Sequence, residues 1–149
     1  MSIRNRYDDA LALYQLGRFD GFLLSALVAA AATARRETPD HAVGDRETFE
    51  AFLAKSDACQ RVLSVEFRGE QHSIPHIFYK WLRCELVHEG GIPFDIEFIG
   101  EPQDGRLSLR AGGAPNYVLQ LSHGWLFEIL HLVRTSPANW KEFGQPGEQ

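Results

Sequence analysis

The chain has 149 residues, with 15 Lys and Arg against 20 Asp and Glu, for a formal net charge of -5. That length fits a single domain, residues 1–149, with a core large enough to fold without disulfides or metal. Hydrophobic residues make up 44% and charged residues 23%, which excludes a disordered chain, and the acidic balance argues against gripping nucleic acid by bulk charge.

Two cysteines, Cys59 and Cys84, are too few for a disulfide framework, so a reducing, cytoplasmic setting is expected. The most apolar run, Phe22 to Ala34, is shorter than the ~18 to 20 residues a membrane span needs. No basic start leads directly into an apolar run, so neither an export signal nor a membrane partner is expected.

Taken in chain order, Tyr7, Leu11 and Tyr14 fall at helical spacing and predict a first helix from about Asn5 to Leu16, stopped at Gly17. The Ala-rich segment from about Phe19 to Glu37 is apolar nearly all round, which predicts the central helix of a bundle. Thr38-Pro39-Asp40 ends it. Asp45 is positioned to cap a third helix over about Arg46 to Lys55, with Phe49, Phe52 and Leu53 as its buried stripe. From Ser56 to Ser73 the signal is mixed: Val62 to Phe67 reads as a helix end or a short strand, followed by a turn at Arg68-Gly69-Glu70.

Ile74 to Glu89 is the strongest amphipathic helix, with Ile77, Trp81, Cys84 and His88 on one face and Gly90-Gly91-Ile92-Pro93 as a hard stop. A hairpin is expected next. Phe94, Ile96 and Phe98 alternate with Asp95 and Glu97, and Leu107 and Leu109 alternate with Arg106, Ser108 and Arg110. A turn over Glu101 to Gly105 would set Ile96 opposite Leu109, Phe98 opposite Leu107 and Asp95 opposite Arg110. Tyr117 to Leu119 can add a short third strand. Ser122 is placed to cap a last helix running to about Thr135, with Trp125, Leu126, Ile129, Leu130 and Val133 inward. Residues after Ser136 read as a loose polar tail, onto which Trp140 and Phe143 can dock back. The fold class is therefore mainly α: a four- to five-helix bundle with a β-hairpin inserted before the last helix.

The strong helix ends Trp81-Leu82-Arg83-Cys84-Glu85-Leu86-Val87-His88-Glu89-Gly90-Gly91. Arg83 and His88 enclose four residues, among apolar neighbours and directly before a glycine stop. Arg36 and His41 have the same spacing, but Pro39 breaks the helix between them. The Arg83 stretch resembles the Arg-x4–6-His motif of the HEPN superfamily, small helical bundles of which many are metal-independent RNases in toxin–antitoxin and other defence systems. The residue-level resemblance covers residues 81–91; the order of elements matches over roughly residues 5–135.

The resemblance implies a homodimer with RNA as substrate, an antitoxin or other protein as partner, and no metal or cofactor. Its site residues would be Arg83 and His88. An imidazole titrates near neutrality and can move the proton of an attacking 2′-hydroxyl. A guanidinium can hold the phosphate oxygens. Five helical positions turn about 500°, so the two side chains leave the helix about 140° apart; they are no contact pair within one straight helix but could flank one groove, especially at a two-fold interface. Cys84 stands where active members commonly carry a polar residue. Glu85 and Glu89 place negative charge beside the binding position and offset Lys80 and Arg83. The alternative is a non-catalytic helical module that binds a protein or nucleotide.

A second spacing, His72-x3-His76 with Cys84-x3-His88, matches paired metal ligands on a helix face. Pro75 interrupts the first pair and Cys84 lies on the apolar stripe, so no metal is expected. His123 and His131 read as structural or surface residues. No phosphate-binding glycine loop or nucleophile elbow is present.

Overall fold

In this computed structural model, which describes residues 2–100, 107–112 and 118–146, the chain is mainly helical with two small sheets. Helix α1 (Ile3–Gln15) is capped by Ser2, whose hydroxyl accepts the Asn5 N–H. Helix α2 (Phe19–Glu37) matches its predicted limits. It is the central helix, packed against α1, α3 (Asp45–Leu53) and α7 (Gly124–Thr135). Its alanines Ala26, Ala29, Ala30 and Ala34 are fully buried, since small side chains allow close helix approach. Its apolar surface is not all covered: Leu24 is exposed, and Val28, Ala31 and Ala32 are half-buried. Asp45 is not the cap of α3. Gly44 holds that place, and the Asp45 carboxylate is drawn to Arg35 at 2.6 Å.

The ambiguous stretch resolves into helix α4 (Asp57–Arg61) and a small antiparallel hairpin, β1 (Val65–Phe67) with β2 (Glu70–His72). Val65 and Phe67 turn inward. The predicted turn is the two-residue link Arg68–Gly69, both with positive φ (53° and 81°). Such a turn matches the right-handed twist of a hairpin, but the left-handed backbone at Arg68 is strained for a residue with a Cβ.

The predicted helix over residues 74–89 is one continuous rod. It comprises α5 (Ile74–Ile77), a π-helical stretch (Phe78–Arg83) and α6 (Cys84–Glu89). Ser73 caps it by accepting the His76 N–H, and Gly90 ends it at φ 77°, the left-handed geometry glycine adopts freely. The π stretch was not legible in the sequence. There the Cys84 N–H reaches back five residues to the Tyr79 carbonyl. One extra residue per turn shifts the phase of everything after it by roughly 100°. The expected single face therefore breaks: Ile77 and Trp81 are buried, Cys84 is half-buried, and His88 stands in solvent.

The expected hairpin between residues 94–98 and 107–110 is not formed. Strand β5 (Leu119–Ser122) lies between β3 (Ile96–Ile99) and β4 (Leu109–Ala111), parallel to the first and antiparallel to the second. Ile96 faces Leu119, while both Phe98 and Leu109 face Leu121. Leu119 and Leu121 are fully buried, so the most deeply buried strand takes the position with neighbours on both sides. The hairpin before the last long helix is thus β4–β5. Asp95 meets Arg68 instead of Arg110, which is exposed opposite Gln120. Tyr117 and the expected turn over Glu101–Gly105 lie outside the described residues, as does Arg106.

Ser122 does not cap the last helix. It ends β5, where its Oγ accepts the Ser108 N–H at 3.0 Å. Helix α7 follows from Gly124 to Thr135 and buries Trp125, Leu126, Ile129, Leu130 and Val133 as expected. The residues after Ser136 are not a loose tail: a 3-10 turn (Pro137–Asn139) packs on α2 and α7, and helix α8 (Trp140–Phe143) closes against α1 and α7. Phe143 is buried edge-on to Tyr7. Glu142 accepts hydrogen bonds from Ser2 Oγ, the Arg4 N–H and Arg36, and Asn139 bonds Thr33 and the Val133 carbonyl in the interior.

Candidate functional site

The residues of the Arg83 motif leave the rod in different directions. Arg83 ends the π stretch, half-buried, with its guanidinium 5.3 Å from the Tyr79 ring centre and 5.7 Å from that of Phe49. These aromatic faces hold the cation through their ring quadrupoles. The guanidinium also lies close enough to help lower the pKa of Asp45, after the dominant hydrogen bond and charge of Arg35. Among the described residues, nothing takes a hydrogen bond or ion pair from Arg83. It borders a shallow groove of ≈ 320 Å³ with Val87 of the rod and Leu24, Leu27, Val28, Ala31 and Ala32 of α2.

His88 sits in the last turn, exposed, and is not part of that groove. Glu85 lies two residues past Arg83, about 200° around an α-helix, and acts electrostatically on Arg68. Glu89 follows Glu85 by one helical turn and is exposed. Glu85 therefore points away from Arg83, while Glu89 leaves the helix about 120° from it. Cys84 is half-buried and stays a free thiol. Arg83 and His88 do not meet within one chain.

Sequence reasoning missed the aromatic seat of Arg83. Tyr79 was readable as an i, i+4 neighbour; Phe49, on α3, carries no local signal. It also missed a larger cleft of ≈ 620 Å³ between α4, the start of β4 and α7. Ala58, Val62, Leu107, Leu109 and Trp125 form its apolar wall, with Asp57, Arg61 and Glu128 beside them. The adjacent Cys59 thiol is raised to about 11, chiefly by burial and further by the charge of Glu128, against a hydrogen bond with Ser56 that lowers it. It stays protonated and is no nucleophile near neutral pH.

His72 and His76 do come together, with ring centres 5.5 Å apart. His76 Nδ1 lies 3.2 Å from Glu50 Oε1, and His72 Nε2 lies 3.6 Å from Glu70 Oε2. Among the described residues no set of three or more His, Cys, Asp or Glu side chains has the geometry to hold a metal ion. His123 is buried in an aromatic nest of Tyr14, Phe19, Phe22 and Phe98, and His131 is exposed. No helix of the described residues is long and apolar enough to cross a membrane. No protein-family model, curated protein or solved structure matches the chain.

Proposed function

We propose that this chain is a HEPN-like cytoplasmic endoribonuclease that works as a homodimer without metal, in a toxin–antitoxin or related defence setting. The observation that carries the reading is Arg83: a guanidinium fixed on two aromatic faces, with no hydrogen bond or ion pair to any described residue, at the mouth of an open groove. That is a prepared phosphate clamp. His88, exposed about 140° further round the helix, supplies the proton transfer from the neighbouring subunit. The partly open stripe Leu24, Val28, Ala31 and Ala32 with Val87 is the seat for the second copy. The 2′-hydroxyl of the RNA attacks the adjacent phosphorus, the 5′-oxygen leaves with a proton, and a 2′,3′-cyclic phosphate remains.

The test is incubation of the purified protein with end-labelled single-stranded RNA in chelator. Cleavage with a cyclic-phosphate end is expected. Arg83→Ala and His88→Ala, both at partly or fully exposed positions, should remain folded and lose about 100-fold or more of the rate. A folded dimer that leaves RNA intact overturns the enzymatic reading, and a strict monomer by light scattering overturns the shared site.

The cleft beside Trp125 favours a second reading, a non-catalytic module. Its apolar wall and the two carboxylates Asp57 and Glu128 against the single cation Arg61 suit an apolar protein side chain flanked by a basic residue. A partner captured by the wild type and lost with Glu128→Lys, alongside absent RNase activity, would select this reading.

A further inference from the structure

His72 closes β2, and His76 lies in the first turn of the rod, on the other side of the Ser73 cap. Both rings pack edge-on against the buried indole of Trp81, with centre distances of 4.7 and 5.6 Å. Phe67 of β1 approaches the same indole at 4.9 Å, so Trp81 is the floor on which the hairpin rests. The His72 and His76 side chains are only 15% and 16% exposed.

The charged groups around the pair are unequal. From α3, Glu50 faces His76, but it also binds Arg46. From β2, Glu70 is near His72, yet it is 78% exposed and screened by water. From the hairpin turn, Arg68 lies 5.5 Å over the Trp81 ring, already committed to Asp95, with Glu85 nearby. From the rod, the Lys80 ammonium lies 4.8 Å over the same ring. Two permanent cations and two imidazoles thus share one indole. His76 has the closer carboxylate, at 3.2 Å against 3.6 Å for His72. A proton on His72 stands against His76, Lys80 and its own burial.

We propose that the His72–His76 pair is a proton-driven latch: with His72 neutral the β1–β2 hairpin stays on Trp81, and a proton on His72 releases the β2 end of the hairpin into solvent. Release is local because β2 carries little of the core: Glu70 and Gln71 are exposed, and His72 is the strand's only inward group. The electrostatics agree in direction. Burial first, then His76 and Lys80, hold His72 below its ordinary value, against the pull of Glu70. A His held down in the closed state binds its proton more readily when opened. Opening therefore grows as pH falls below about 6.5, by up to about tenfold per pH unit for one extra proton. Because Arg68 is anchored in the hairpin turn, release also loosens its grip on Asp95.

Amide hydrogen exchange, read by NMR from about pH 7.5 to 5 and corrected for intrinsic rate, tests this. Protection of the Val65–Phe67 and Glu70–His72 amides should fall by about tenfold or more relative to α2, which serves as the internal control. His72→Gln should abolish that pH dependence. His76→Gln, lacking the repelling neighbour, should make it shallower. Hairpin protection that tracks α2 at every pH, or unchanged pH dependence in His72→Gln, overturns the latch.

Discussion

Replacing Arg68 by Ala tests a two-point charge contact with a nearly buried carboxylate. Arg68 Nε and Nη2 donate to the two oxygens of Asp95 at 2.8 and 3.0 Å. The Asp95 side chain is 10% exposed, that of Arg68 39%. Removing one partner of a fully buried pair costs about 3–5 kcal/mol, because the other charge is left dry. Arg68 is open enough for water to replace part of it, so about half, roughly 2 kcal/mol, is the fair share. Loss of the guanidinium from the Phe67 and Trp81 faces adds about 0.5 kcal/mol. The total, about 2.5 kcal/mol, corresponds to a drop in Tm of roughly 7 °C for a chain of this length. Arg68→Gly should recover about 1 kcal/mol of that, since the left-handed backbone no longer carries a Cβ. Urea unfolding of Arg68→Ala, Asp95→Asn and the double variant measures the coupling directly. A coupling below about 0.5 kcal/mol would refute the reasoning, because it would show the pair to be a solvated surface contact.

Asn139→Ala should cost about 1–3 kcal/mol in urea unfolding, since it removes the donor to the Val133 carbonyl in the interior, while the Thr33 hydroxyl keeps its bond to the Ala29 carbonyl. Glu142 is held below its ordinary value: burial raises it, but hydrogen bonds from Arg36, Ser2 and Arg4 outweigh that. A depressed carboxylate stabilises the fold above its unfolded value near 4.5 and loses that contribution as pH falls through the folded one. The stability gap between wild type and Glu142→Gln should therefore shrink between about pH 6 and pH 3; a constant gap would remove the charge from the account. Val87→Asp, at a side chain 60% exposed, should change stability by less than about 0.5 kcal/mol. In light scattering it should convert the proposed dimer to a monomer.

What the sequence made legible was set by local chemistry. The limits of α2 follow from an Ala-rich run that ends at Thr38-Pro39, and those of the rod from Ser73 at one end and Gly90 at the other. Strand was correctly read at residues 96–98 and 109–110, but not at 94–95, which form a turn with Phe94 exposed, and the pairing was misread. Pairing is a tertiary choice, and two fully buried leucines in β5 outbid a shorter loop. The π stretch escaped for a related reason: Phe78 to Arg83 has an ordinary helical composition, and only packing selects the wider turn. At the candidate site, Arg83 and His88 were legible as a spacing. The aromatic seat on Phe49 and the turning-away of Glu85 were not, because they depend on α3 and on the phase of the rod.

The contact between Ser2 and Glu142 joins residues 140 apart. It gives assembly an order. A chain growing from its N-terminus can pair α1 with α2 early, but the cap of α1 lacks its anchor until residue 142 has emerged, roughly 7–30 s later at ~5–20 residues per second. Through that interval Ser2 can still cap α1 through the Asn5 N–H, but the tie between α1 and α8 is missing.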